Sequence, residues 1–325
     1  MVKLKNSVFV ISLDFEMMWG NIETWTSEGY GASNVKQVRE VIERMIGLFE
    51  KYDIKATFAI VGLIMQKSNS ESLFPEELPS YKRKELSPYH KNFINKIKSA
   101  NESLYFGLDI IEKLKSSPNI EIGSHTYGHY YCLEMGQTVP QFEADIKKAS
   151  EVAKENGIEL KSIVFPRNQI APAYLEICSK YGITSYRGIP MKFYGKANSK
   201  LAIWKNRFCR LIDSYINLGG PTTFSLDDAE NSDKMFNIRA SRFLRPYSKK
   251  LVFLDGLKFR RIKNEMNYAV RHNEIYHLWW HPHNFGSNIE DNFNTLEKIL
   301  KYYSFCRHHW GMQSLTMREL SELSD

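Results

Sequence analysis

At 325 residues, 43% of them apolar and 13% aromatic, the chain can bury a large core and is not an intrinsically disordered polymer. A formal charge of +7 is modest for this length, so no nucleic-acid partner is expected, and an acidic or phosphate-bearing substrate is as good a use of the positive charge. The four cysteines, Cys132, Cys178, Cys209 and Cys306, are widely spaced with no C-x-x-C pair, which argues against a cysteine zinc site or a disulfide framework and fits reduced thiols in a cytosol.

After Met1 to Asn6 only about six apolar-rich positions precede Asp14 and Glu16, too few for a signal-peptide core or a membrane span. A cytoplasmic protein without a transmembrane segment is the expectation. Val8 to Leu13 reads as a strand covered on both faces, with Asp14-Phe15-Glu16 at its end. Asn34 to Tyr52 has the apolar stripe of an amphipathic helix, and Ala56 to Val61 is a second buried strand; strand, helix and strand make a right-handed unit with parallel strands. From residue 66 to about 100 the pattern breaks into a lysine-rich stretch with Pro75, Pro79 and Pro88, read as a surface excursion or lid. Regularity returns with a helix near Ser103 to Lys115, a strand ending at Gly123, a helix from about Gln141 to Asn156, the strand Ser162 to Phe165, a helix starting near Pro172 and the strand Ile183 to Tyr186. Residues 189 to 250 are less regular and read as a second insertion, carrying the basic run Arg239 to Lys250. A helix near Gly256 to Asn273, the strand Ile275 to Trp280, a helix up to Ser304 and a last strand near Gln313 to Thr316 complete the chain. The sustained alternation predicts an α/β fold with a parallel sheet and helices outside, in one domain spanning 1–325 with insertions near 66–100 and 189–250.

The polar residues that look chemical follow strands. Asp14 and Glu16, His125 and His129, Arg167 and Asn168, and His281 and His283 all stand at predicted carboxyl ends, where parallel α/β folds build their sites. Two histidines four apart share a face if the backbone turns helically, so His125 and His129 make a two-histidine half-site for a cation, with Ser124 and Thr126 placed to cap the turn.

This ordered set, Asp-x-Glu, His-x-x-x-His, an arginine and a late histidine, resembles the polysaccharide deacetylase (NodB homology) superfamily, carbohydrate esterase family 4, over roughly Val8 to Asn284. The resemblance implies a distorted (β/α) barrel of about seven parallel strands and metal-dependent hydrolysis of an N-acetyl or related acyl group on a saccharide. It implies Glu16, His125 and His129 as metal ligands and Asp14 as general base. The family has two adjacent aspartates where this chain has Asp14-Phe15-Glu16, so the reverse division of labour stays open. Arg167 would hold Asp14 ionised and oriented, and His281, with His283 in reserve, would protonate the leaving amine. Asp255, after Leu251 to Leu254, is the acidic residue available to orient that histidine. Trp19, Tyr127, Asn168 and His283 are the substrate-binding candidates, Trp19 foremost; Trp279 and Trp280 fit core packing better. Zinc is the default ion, with cobalt, nickel, manganese or iron compatible with the same ligands. The expected substrate is an acylated saccharide, nucleotide- or lipid-linked intermediates of surface-polysaccharide assembly included. The alternatives are an amidase or deformylase acting on another C–N bond and a non-catalytic carbohydrate-binding protein.

Overall fold

The first apolar run forms β1, Val8–Phe15, in which every residue is buried. A strand apolar on both faces must be covered on both, and β1 lies in the middle of the sheet. It pairs in parallel with β2, Ala56–Ile60, on one side and with β8, Ile275–Trp280, on the other. The computed structural model describes residues 4–324 apart from 25–27, 69–72, 92, 95–96, 98–100, 190–199 and 230–234. The remaining strands are β3 Ile120–Ser124, β4 Ser162–Ile163, β5 Ser185–Tyr186, β6 Phe236–Asn237, β7 Arg242–Phe243 and β9 Gln313–Ser314. Their order is β6-β5-β4-β3-β2-β1-β8-β7, all parallel, with β9 on the first residues of β1.

The two ends of that order are neighbours in sequence. Phe236, Ile238 and Ala240 donate their amides to Thr184, Tyr186 and Gly188, whereas Ser241 and Leu244 donate to His277 and Trp279. One bent segment, residues 236–244, thus pairs first beside β5 and then beside β8, and joins the sheet's ends. Counting that segment once gives seven lanes, the distorted (β/α) barrel that the family resemblance implies.

Two cores result. Side chains alternate along a strand, so one set points inward and the other outward. Val8, Val10, Ala59, Val164 and Ile238 fill the barrel interior, closed below by Met317 and Leu320. Both come from the short helix α9, Met317–Ser321, started by a Thr316/Glu319 capping box. Burying each of these two side chains stabilises the fold by roughly 1.5–3 kcal/mol. Outside the sheet the larger core packs beneath α1 Tyr30–Lys36, α2 Val38–Lys51, α3 Leu108–Ser116, α4 Val139–Glu155, α5 Pro172–Lys180, α7 Asp255–His272 and α8 Ile289–Trp310. Gly311 ends α8 in a left-handed conformation, φ 69°, with its amide donated back to Arg307.

Several expectations need correction. The helix expected from Asn34 breaks at Gln37 into α1 and α2. The 189–250 stretch, of which 190–199 and 230–234 lie outside the described residues, contains a helix, α6 Lys200–Asp213, whose apolar period is interrupted by basic residues. Leu251 to Leu254 belong to a 3₁₀ helix, Lys249–Leu254, and Asp255 pairs with Lys258 at 2.8 Å, not with a site histidine. The described part of 66–100 is no loose surface excursion, because Tyr81, Leu86, Tyr89, Phe93 and Ile97 are buried. Tyr81 also accepts the Tyr131 amide at 2.9 Å through its hydroxyl, bracing the chain just past His129.

Candidate functional site

Alternation along β1 turns Ser12 and Asp14 into the barrel mouth, with Glu16 just beyond. Asp14 is buried and meets Arg187 as a fork: Nη1 donates to Oδ1 at 2.5 Å and Nη2 to Oδ2 at 2.7 Å. Burial alone would raise the Asp14 pKa, but Arg187, aided by His281, outweighs it and holds the carboxyl below its usual range. Gly20 leaves the room Glu16 occupies, since a Cβ there would collide with the Glu16 carboxylate. Gly20→Ala would therefore displace Glu16.

The His125 to His129 stretch is not a helical turn as the spacing suggested. Thr126 and His129 take left-handed backbone conformations, φ 63° and 55°, a strain of order 1–3 kcal/mol each that the surroundings must offset. They do so with hydrogen bonds. Ser124 Oγ accepts the Thr126 amide at 3.0 Å and Thr126 Oγ1 accepts the Tyr130 amide at 2.7 Å, the capping roles expected of both. From α4 the buried Asp145 accepts the amides of Tyr127 and Gly128 at 2.6 and 2.9 Å, and burial raises its pKa to about 7.

So braced, the two imidazoles turn inward. His125 Nδ1 donates to the Val164 carbonyl at 2.7 Å, and His129 Nδ1 lies 3.1 Å from the Tyr131 hydroxyl. Both Nε2 atoms then face Glu16 Oε1, at 3.1 and 3.3 Å. Burial would raise the Glu16 pKa, yet His281, His125 and His129 together hold it well below the usual carboxylate range. Burial lowers that of His129, against the pull of Glu16. A buried carboxylate facing the Nε2 atoms of two imidazoles is the donor set of a divalent cation. The three ligand atoms lie within 4.8 Å of one another. A second such set, Asp14, Glu16 and His281, shares Glu16.

His281 Nε2 stands 3.5 Å from Glu16 Oε1 and 3.8 Å from Asp14 Oδ2, on the solvent side of both. Burial would lower its pKa, but the two carboxylates overcome this and raise it. His283 is buried and is pushed down to about 3 by burial and then by His281, so it stays neutral where His281 can be charged. Both line an open cavity of about 430 Å³ together with Asp14, Glu16, His129, Arg167, Asn168, Phe243 and Trp279.

The structure does not bring every expected residue to that cavity. Trp19 is 2% exposed, donates Nε1 to the Tyr105 carbonyl at 2.7 Å and packs edge-on against Phe93, Tyr105 and Phe106. Tyr127 is likewise core, its hydroxyl on the Leu73 carbonyl at 2.9 Å. Met17, at φ 47°, turns the chain so that Trp19 points away from the mouth. The aromatic faces at the cavity are Trp279, assigned to packing from sequence, and Phe243, with ring centroids 4.8 Å apart. Trp280 is core as expected. Arg167 does not reach Asp14; it pairs with Glu23 and stacks on the Tyr131 ring at 4.2 Å, on the rim. Arg187, which stands directly after β5, takes the place beside Asp14.

Beneath Asp14 the fully buried His277 is held to about 3 by burial and then by Arg187. A histidine whose folded pKa is depressed loses stability as pH falls, because below its ordinary 6.5 the unfolded chain binds a proton that the folded chain refuses. Between about 6.5 and about 3 this amounts to roughly 1.4 kcal/mol per pH unit. Denaturant titrations of His277→Gln across this window are expected to show a slope shallower by that amount; an unchanged slope would refute the assignment.

With this geometry in place, comparison with known proteins is direct. The polysaccharide deacetylase family model matches residues 9–186. No curated protein matches the chain. Among solved structures, a Mycobacterium smegmatis protein designated a polysaccharide deacetylase is similar at 12% identity and TM-score 0.56, over 99% of this chain and 91% of that one. A Pseudomonas aeruginosa PAO1 protein with the same designation is similar at 10% identity and TM-score 0.54, over 97% and 90%. The GH57-type branching enzyme of Pyrococcus horikoshii is similar at 12% identity and TM-score 0.54, over 99% and 71%. At these identities the structural likeness is one of fold.

Proposed function

The chain belongs to the polysaccharide deacetylase family of the NodB homology superfamily, and from that premise we propose that it is a metal-dependent hydrolase removing an N-acetyl or related acyl group from a saccharide. The observation that carries the proposal is the placing of Glu16 Oε1 within 3.3 Å of two buried imidazole nitrogens, while Asp14 is forked by Arg187 2.5 Å away. Glu16, His125 and His129 would hold the ion, and three protein ligands leave positions for water and substrate. Bound there, a divalent ion supplies Lewis-acid polarisation of the acyl carbonyl and lowers the pKa of water. Asp14, kept ionised by Arg187, takes the proton of the attacking water. As the C–N bond breaks, His281, whose pKa is raised, gives its proton to the departing amine nitrogen. Glu16 is common to both candidate cation sets and both Asp14 oxygens are engaged by Arg187, which supports Glu16 as ligand and Asp14 as base.

Trp279 and Phe243 offer sugar-stacking faces in place of Trp19 and Tyr127, and Asn168 and His283 polar contacts at the same cavity. We further propose that the whole chain acts as one catalytic unit in the cytoplasm on a nucleotide- or lipid-linked precursor. Free cysteines at all four positions support this, and no described helix is long and apolar enough to cross a membrane. Zinc remains the preferred ion for these ligands.

Elemental analysis tests the metal directly: one equivalent of a divalent ion per chain is expected, released by chelation with loss of hydrolysis and restored on reloading. Hydrolysis untouched by complete chelation would contradict it. The hydroxyl of Tyr131 beside His129 Nδ1 sets that ring's orientation. Tyr131→Phe is therefore expected to weaken metal affinity by about tenfold or more, read by competition with a chromogenic chelator.

A further inference from the structure

The inward-facing residues below Asp14 form a chain of hydrogen bonds that the hydrolytic steps do not use. Arg187 Nη1 donates to Ser12 Oγ at 3.1 Å as well as to Asp14 Oδ1. A guanidinium has no acceptor, so the Ser12 proton must go elsewhere. It points to His277 Nε2, 2.8 Å away. With Ser12 donating, that nitrogen carries a lone pair and His277 is the neutral ring protonated on Nδ1, an atom buried without a hydrogen-bond partner among the described residues. The backbone of His277 is fixed in turn, its amide donating to Ser241 Oγ at 3.0 Å where residues 236–244 cross from β5 to β8.

Arg187 needs such an anchor. Its Nε is buried without a hydrogen-bond partner among the described residues, and Trp279 lies 4.2 Å from the guanidinium carbon, fixing the plane of the fork but not its rotation within that plane. Among the described residues Ser12 supplies the side-chain hydrogen bond to Arg187 that is independent of Asp14. We propose that Ser12 and His277 are positioning residues that set the Arg187 fork and, through it, the aim of the Asp14 carboxylate; this rests on the reading of Asp14 as general base.

Three variants and one spectrum test it. Ser12→Ala and His277→Leu are each expected to lower kcat about tenfold, with KM within about twofold and metal content unchanged. His277→Gln, whose side-chain carbonyl can accept the same proton, is expected to keep kcat within about threefold of the wild type. Nitrogen-15 NMR of the wild type should show the His277 ring neutral and protonated on Nδ1 from pH 6 to 8, a signature independent of turnover. Full kcat in Ser12→Ala, equal losses in the leucine and glutamine variants, or a proton on Nε2 would each overturn the proposal. A wild type that hydrolyses no acylated saccharide would defeat the functional reading instead, while the ring spectrum would still decide the hydrogen-bond chain.

Discussion

Replacement of His125 or His129 by alanine is expected to strip the ion from the protein and lower turnover by about three orders of magnitude or more. Both rings point Nε2 at Glu16 Oε1 from buried positions, and removing one leaves a carboxylate and a single imidazole. Lewis-acid stabilisation of the transition state is worth several kcal/mol, and each 1.36 kcal/mol is about a factor of ten in rate. The two variants should stay folded, since Asp145, Ser124 and Thr126 still hold the loop when the imidazole contacts to Val164 and Tyr131 are lost. Metal content and hydrolysis are measured on the same preparations, with circular dichroism to confirm folding. Normal turnover in either variant would remove the histidines from the mechanism.

The second large effect is at Asp14. Asp14→Asn is expected to keep the metal and lose about 10²- to 10⁴-fold in kcat, the usual contribution of a positioned base. An amide cannot take a proton from water, and its NH₂ would face one prong of the Arg187 fork. Glu16 and the histidines keep their mutual contacts in this variant, so bound metal should be unaltered. Loss of metal with Asp14→Asn would show the roles of Asp14 and Glu16 reversed. Arg187→Lys should fall in the same direction, because a point charge on a flexible stem cannot reproduce a two-pronged fork.

Most of the parallel sheet and its outer helices was legible from the alternation of short apolar runs with amphipathic stretches, closure into a barrel only from the family resemblance, and the strand-end rule found Asp14, Glu16, His125, His129, His281 and His283, all of which the fold gathers. What it missed has a physical reason. Arg187 obeys the same rule, standing directly after the strand read over Ile183 to Tyr186, but the resemblance offers Arg167 for its place. Arg167 sits 3.6 Å from Glu134 and against Glu23, neither near it in sequence, so only the fold shows that it belongs to the rim. Trp19 and Tyr127 are substrate-binding candidates only because they lie next to motifs. Adjacency does not say on which side of a turn a ring falls, and left-handed residues at Met17 and Thr126 send the chain where periodicity gives no guidance. Trp279 and Trp280 show the complementary case. Neighbours on a strand face opposite sides, so one had to reach the interior, and the register Ser12↔Trp279 places that one by the Asp14 face of β1.

Metal-dependent deacylation is measured as acetate release from a panel of N-acetylated nucleotide sugars and oligosaccharides, with the protein stripped of metal and reloaded one ion at a time. Release is expected to be absent from the stripped protein, to return with a divalent ion, and to be lost in the His125 and His129 variants. Stoichiometric metal at Glu16, His125 and His129 with no acyl group released from any saccharide would contradict deacylation as the function.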